Sequence, residues 1–185
     1  MTCPERPTAL LILGLGNLLC TDDGLGVVAT TRLSREFEAP EGVKILDGGT
    51  LGLSLLPHLQ ESRAAILVDA IRADGPPGTI VRLEGSDVAP AVRDRLSPHQ
   101  IGVADLLDGA RWLGQYPDTV VLVGIVPASI ELGYGLSPSV EAQLPALVDA
   151  VVQEAARQGW PLDRRSRHEP LDPLAALAGA CVSGL

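Results

Sequence analysis

The amino-acid sequence predicts an α/β domain, on three observations. Apolar runs of strand length recur along the chain, segments of helical period separate them, and glycine, proline and aspartate punctuate the junctions. Ala9-Leu-Leu-Ile-Leu-Gly-Leu15 is apolar without interruption, as expected of a strand covered on both faces, and is placed centrally in the sheet. After a turn at Gly16-Asn17, the segment from Asp22 to Phe37 gathers Leu25, Val28, Ala29, Leu33 and Phe37 on one helical face. A second short strand, Val43-Lys-Ile-Leu46, breaks at Asp47-Gly48-Gly49-Thr50, and a helix over 51–59 follows.

Ala64-Ala-Ile-Leu-Val68 forms a third strand that ends at Asp69. Gly78-Thr-Ile-Val-Arg-Leu83 alternates like an edge strand after the turn-forming stretch Asp74-Gly-Pro-Pro77, and is assigned an antiparallel direction. Ser97-Pro98-His99-Gln100 has the cap, first-turn proline and returning amide of a capping box, so a helix opens there and runs to Leu113. Thr119-Val-Val-Leu-Val-Gly-Ile125 is another buried strand. Ser137-Pro138 opens the last long helix, with Val140, Leu144, Leu147, Val148, Val151, Val152 and Ala155 toward the core and Pro145 splitting or kinking it. Beyond Gly159 the period is lost, so one domain is assigned to residues 1–161 and a flexible tail to 162–185.

Composition excludes several functional classes. A chain of 185 residues with 46% hydrophobic content closes one core. A formal charge of −9 and a pI near 4.7 repel nucleic acid and anionic lipid, and 3% aromatic content gives little surface for stacking bases. Membrane insertion is not expected, because no apolar run approaches the roughly 20 residues that span a bilayer. The start, Met-Thr-Cys-Pro-Glu-Arg-Pro, lacks the basic and apolar regions of a secretory signal, and Cys3, Cys20 and Cys181 show no paired spacing; both favour a cytoplasmic location.

Asp23, Asp69 and His99 each stand just past an apolar run or at a helix start, where α/β folds display reactive groups. Two carboxylates and an imidazole suit a divalent transition metal with open positions. A histidine in the first turn of a helix faces the positive end of the backbone dipole, which favours the neutral, metal-binding ring. Gly14-Leu-Gly16-Asn-Leu-Leu19 has the context of a dinucleotide fingerprint, but Leu19 replaces its third glycine and obstructs close helix-strand packing. The acidic Asp22 and Asp23 would also repel a pyrophosphate. One of that pair is expected to cap the helix.

The combination of Gly14-x-Gly16-Asn17-x-Leu19-x-x-Asp22-Asp23-Gly24-x-Gly26, Leu46-Asp47-Gly48-Gly49-Thr50, Val68-Asp69-Ala70 and Ser97-Pro98-His99-Gln100 resembles the hydrogenase maturation endopeptidases. Leu122-Val-Gly-Ile-Val-Pro127, Gly135-Leu-Ser-Pro138 and Glu141 extend the resemblance over Ala9 to Gln158. These proteases trim the C-terminal extension from the large subunit of nickel-iron hydrogenases. The resemblance implies a three-layer αβα sandwich with a mainly parallel, five-stranded twisted sheet, and metal ligation by Asp23, Asp69 and His99. The first of these positions is glutamate in some relatives, so Asp23 has a shorter reach. The partner implied is the large-subunit precursor, and the metal implied is nickel carried by that substrate; zinc or cadmium can take its place in vitro.

Two mechanisms are compatible with these residues. A metal can polarise the scissile carbonyl or acidify a water, or it can dock the substrate while hydrolysis relies on positioning and a general base. Docking through nickel is the preferred reading. Asp47 is the candidate base or orienting carboxylate, with the Gly48 and Gly49 amides facing an oxyanion. A noncatalytic nickel carrier and a nucleotide-binding domain are the alternative functions.

Overall fold

The computed structural model describes residues 6–93 and 103–166. Its strands are β1 (Thr8–Leu15), β2 (Phe37–Glu38), β3 (Val43–Gly49), β4 (Ser62–Ala70), β5 (Ile80–Glu84), β6 (Thr119–Ile125) and β7 (Asp163–Arg164). Its α-helices are α1 (Leu25–Glu36), α2 (Leu56–Gln60), α3 (Val88–Arg93), α4 (Val103–Trp112), α5 (Pro138–Glu141) and α6 (Leu144–Arg157). Five strands form the main sheet in the order β3-β1-β4-β6-β5. The first four run parallel, and β5 is an antiparallel edge strand, as its alternating sequence predicts.

Pleating divides the core into two layers around this sheet. Leu10, Ile12, Ile66, Val68, Val121 and Val123 face α1, α5 and α6, whereas Leu11, Leu13, Ala65, Leu67, Val120 and Leu122 face α2, α3 and α4. The result is the expected three-layer sandwich. Strand β1 is interior, but the central position belongs to β4, which is buried without interruption from Ala65 to Ala70.

Several elements differ from the sequence reading for identifiable reasons. The helix expected from Asp22 begins as a 3-10 turn, Thr21–Gly24, and becomes α-helical at Leu25. Strand β4 continues through Asp69 to Ala70 because β6 pairs with it that far, so Asp69 lies within the strand. Pro145 does split the last helix, standing in the first turn of α6. Ser137 does not cap α5 with its side chain; its hydroxyl is engaged by Asp22.

The domain also extends past residue 161. Leu162 is buried, β7 pairs antiparallel with β2, and the Arg165 amide donates to the Glu36 carbonyl at 2.9 Å. Arg164 adds an ion pair to Glu36 and lies over the Phe37 ring. This segment carries too few apolar residues to register as structure in sequence. Residues 167–185 of the expected tail lie outside the described residues.

Candidate active site

The site is built at the carboxyl ends of the parallel strands. Gly14 pairs with Asp47 of β3 on one side and with Val68 of β4 on the other, so Asp47, Gly14 and Val68 form one row across the sheet. Asp69 stands one residue beyond that row and pairs with Gly124 of β6. Helix α1 approaches these strand ends unusually closely. A β-carbon on Gly26 would collide with the carbonyl oxygens of Val68 and Leu15, and one on Gly14 would collide with the Thr30 hydroxyl and the Gly26 carbonyl. These two glycines supply the close approach that Leu19 was expected to obstruct; Leu19 lies in the preceding loop, half exposed, and does not enter the helix interface.

That approach seats the 3-10 turn carrying Asp23 against β4, which carries Asp69. Asp23 is partly buried, and its Oδ2 accepts a hydrogen bond from the Asn17 amide at 2.9 Å. Asp69 is completely buried, and its Oδ1 accepts from the Ala70 amide at 2.8 Å. The fold thus brings two of the three expected ligands to one pole. His99 lies outside the described residues, among which no group of three His, Cys, Asp or Glu side chains is gathered to hold a metal. The donors that are described fit a hard or borderline divalent cation, being two carboxylates each oriented by a backbone amide.

Asp47 has a different setting. It is exposed, and its Oδ1 accepts from the Gly49 amide at 3.0 Å, closing a turn in which Gly49 adopts φ +43°. The Gly49 amide is therefore engaged by Asp47 rather than directed at an oxyanion. Pleating aims Asp47 toward the α1 layer and Asp69 toward the α4 layer.

Asp22 has a role that sequence reasoning missed. It is completely buried and is not a helix cap. Its carboxylate accepts from the amides of Ala128 at 2.8 Å, Ser129 at 3.1 Å and Ser137 at 2.6 Å, and from the Ser137 hydroxyl at 2.8 Å. One side chain thereby ties the turn after β1 to the long loop after β6. Partners more than 100 residues away leave no local signal, although two adjacent aspartates are one more than a cap requires.

A model described as hydrogenase maturation protease matches residues 27–154 of the chain. The chain belongs to the hydrogenase maturation protease family. It is 37% identical over 151 residues to the hydrogenase 2 maturation protease of Escherichia coli, an alignment covering 81% of this chain and 92% of that protein. It is 38% identical to the hydrogenase expression/formation protein HupM of Azotobacter chroococcum, covering 92% and 83% of the two. Among solved structures, the hydrogenase maturating endopeptidase HybD of E. coli matches with a TM-score of 0.80 and 36% identity, over 86% of this chain and 99% of that one. A hydrogenase 2 maturation peptidase from a Thaumarchaeota archaeon matches with a TM-score of 0.63 and 30% identity, covering 80% and 99%. This maturation protease is therefore a peptidase, and the resemblance carried by its glycine and aspartate motifs is borne out. Among its described residues, no helix is long and apolar enough to cross a membrane.

Proposed function

We propose that this maturation protease removes the C-terminal extension of a nickel-iron hydrogenase large-subunit precursor after nickel insertion, and that it recognises the nickel held by that substrate. The observation carrying the proposal is the packing of the turn that bears Asp23 against β4, which bears Asp69, at the carboxyl pole of a family member's sheet, with the two carboxylates held by the Asn17 and Ala70 amides. Asp23, Asp69 and His99 are the proposed ligands. Nickel belongs to the substrate in this reading, and it supplies a cationic anchor that the carboxylates bind.

This chain's residues then act by orientation. The Asn17 amide fixes Oδ2 of Asp23 and thereby aims its carboxylate. Burial of Asp69 keeps water from competing for it and strengthens its attraction to a cation. Anchoring the precursor at the metal holds the scissile bond near the pole, which replaces a bimolecular encounter by a positioned one. Of the two roles open to Asp47, its bond to Gly49 and its opposite pleat favour an orienting carboxylate over a proton acceptor.

The test is incubation of wild-type protein with a nickel-loaded large-subunit precursor, followed by mass analysis of the products. Release of one C-terminal peptide is the expected result. Stoichiometric nickel transfer with no peptide released would contradict the proposal and favour a carrier.

A further inference from the structure

Among the described residues, the large exposed apolar side chains fall mostly at one end of the sheet, with Trp112 and Leu113 at the end of α4 as the exceptions. Leu18 and Leu19 follow β1, Leu51 and Leu53 follow β3, and Leu132 and Tyr134 follow β6, so all six surround the pole that carries Asp23 and Asp69. Leu132 and Tyr134 are 86% and 87% exposed. Their loops are stitched together by backbone hydrogen bonds. Gly16 donates to the Gly49 carbonyl at 3.0 Å, Gly133 to Leu19 at 2.8 Å, and Thr21 to Gly133 at 3.0 Å. The Thr21 hydroxyl adds a bond to the Ser129 carbonyl at 2.8 Å, and Thr21 itself is held at φ 44°, a conformation a β-branched residue rarely adopts. Buried Asp22 closes the assembly with its four acceptor bonds.

We infer that Leu18, Leu19, Leu132 and Tyr134 form a preset apolar platform that grips apolar side chains flanking the scissile bond of the precursor, and that Asp22 is the positioning residue that holds the platform together. This rests on the function proposed above. Apolar groups kept in water by an ordered framework mark a protein-binding surface, and the ordering cost is already met before the partner arrives. The platform is continuous with the carboxylate pole through the Asn17–Asp23 turn, so what sits on it is the chain presented to that pole. A charge of −9 disfavours anionic lipid or nucleic acid there. A second copy of the protein on this face would cover Asp23 and compete with substrate.

The experiment measures precursor affinity and cleavage kinetics, using nickel-loaded precursor, for wild type, a Leu132→Ser/Tyr134→Ser double variant, Asp22→Asn and Trp112→Ser. The double variant is expected to raise both Kd and KM by about tenfold while kcat changes less than about twofold. Trp112, 92% exposed at the end of α4 and away from this pole, serves as control and should leave both constants unchanged. Asp22→Asn should raise KM in the folded protein with a smaller effect on kcat. Wild-type cleavage with unchanged Kd and KM in the double variant would overturn the platform and leave the protease reading intact. Failure of wild type to bind or cleave any precursor would overturn both. A dimer abolished by the double variant, with KM unchanged, would assign the face to a second copy and overturn the inference. A fall in kcat alone for Asp22→Asn would overturn the positioning role.

Discussion

Gly26 of α1 lies against the main-chain oxygen of Val68 in β4, with no room for a β-carbon between them. Three residues before Gly26 stands Asp23, and one residue after Val68 stands Asp69. The helix-strand contact thus lies between the segments that carry the two carboxylates. Replacing Gly26 by alanine forces α1 away from the strand ends, and overpacking against rigid backbone should cost about 3 kcal/mol. Urea denaturation measures it; unchanged stability with unchanged cleavage would contradict this role for the contact.

Asp22 and Ser137 make a graded pair of tests. Ser137→Ala removes one hydroxyl bond to a buried carboxylate and no side-chain helix cap, so a loss of about 1.5 kcal/mol is expected. Asp22→Ala strands three amides and the hydroxyl together, and should cost about 4 kcal/mol. Equal losses for the two variants would mean that the backbone amides find other partners.

The acid limb of stability should depend on Glu154. This buried residue of α6 accepts from Arg82 Nε at 2.8 Å, tying the helix to edge strand β5, with Arg157 and Gln158 also in contact. The Arg82 hydrogen bond holds the Glu154 carboxyl below its ordinary range, against the opposing effect of burial. A carboxyl lowered in the folded state contributes stability above its unfolded pKa and loses it as pH falls through the lower, folded value. Arg82 is raised by the same pair and stays charged throughout this window, so the carboxyl alone sets the acid limb. Denaturation midpoints measured as pH is lowered below the ordinary glutamate range should fall in wild type and fall less steeply in Glu154→Gln. Parallel curves would refute the assignment.

Asp47→Asn keeps an oxygen that can accept from Gly49, so both fold and turn should survive. If Asp47 orients the turn, cleavage should stay within about threefold of wild type, whereas Asp47→Ala, which loses the acceptor, should be slower. A loss of about a hundredfold in the asparagine variant, with the fold intact, would instead identify a general base.

The strands were the most legible part of the chain, because β1, β4 and β6 are covered on both faces and read as unbroken apolar runs. The alternation of Gly78–Leu83 likewise marked an edge, and Pro145 marked the kink or split of the last helix. Long-range interactions were not legible. The Asp22 clamp depends on residues 128–137, and the docking of Asp163–Arg164 depends on Phe37–Glu38, so neither has a local pattern. Helix α3 is a single short stretch with a proline inside, too brief for its period to stand out. Gly26 was visible as a residue, but its work became apparent only when the opposing Val68 carbonyl was in place. Of the proposed ligands, Asp23 stands on a turn packed against β4, which carries Asp69; His99 was reached from its capping sequence and lies outside the described residues.

The most direct test of metal-read recognition compares nickel-loaded and nickel-free forms of the same precursor, cleaved by wild type, Asp69→Asn and His99→Ala, each confirmed as folded. Wild type should cut only the nickel-loaded form, and both variants should lose that cleavage. Equal cutting of the two forms by wild type, or undiminished cutting of the loaded form by either variant, would contradict metal-read recognition.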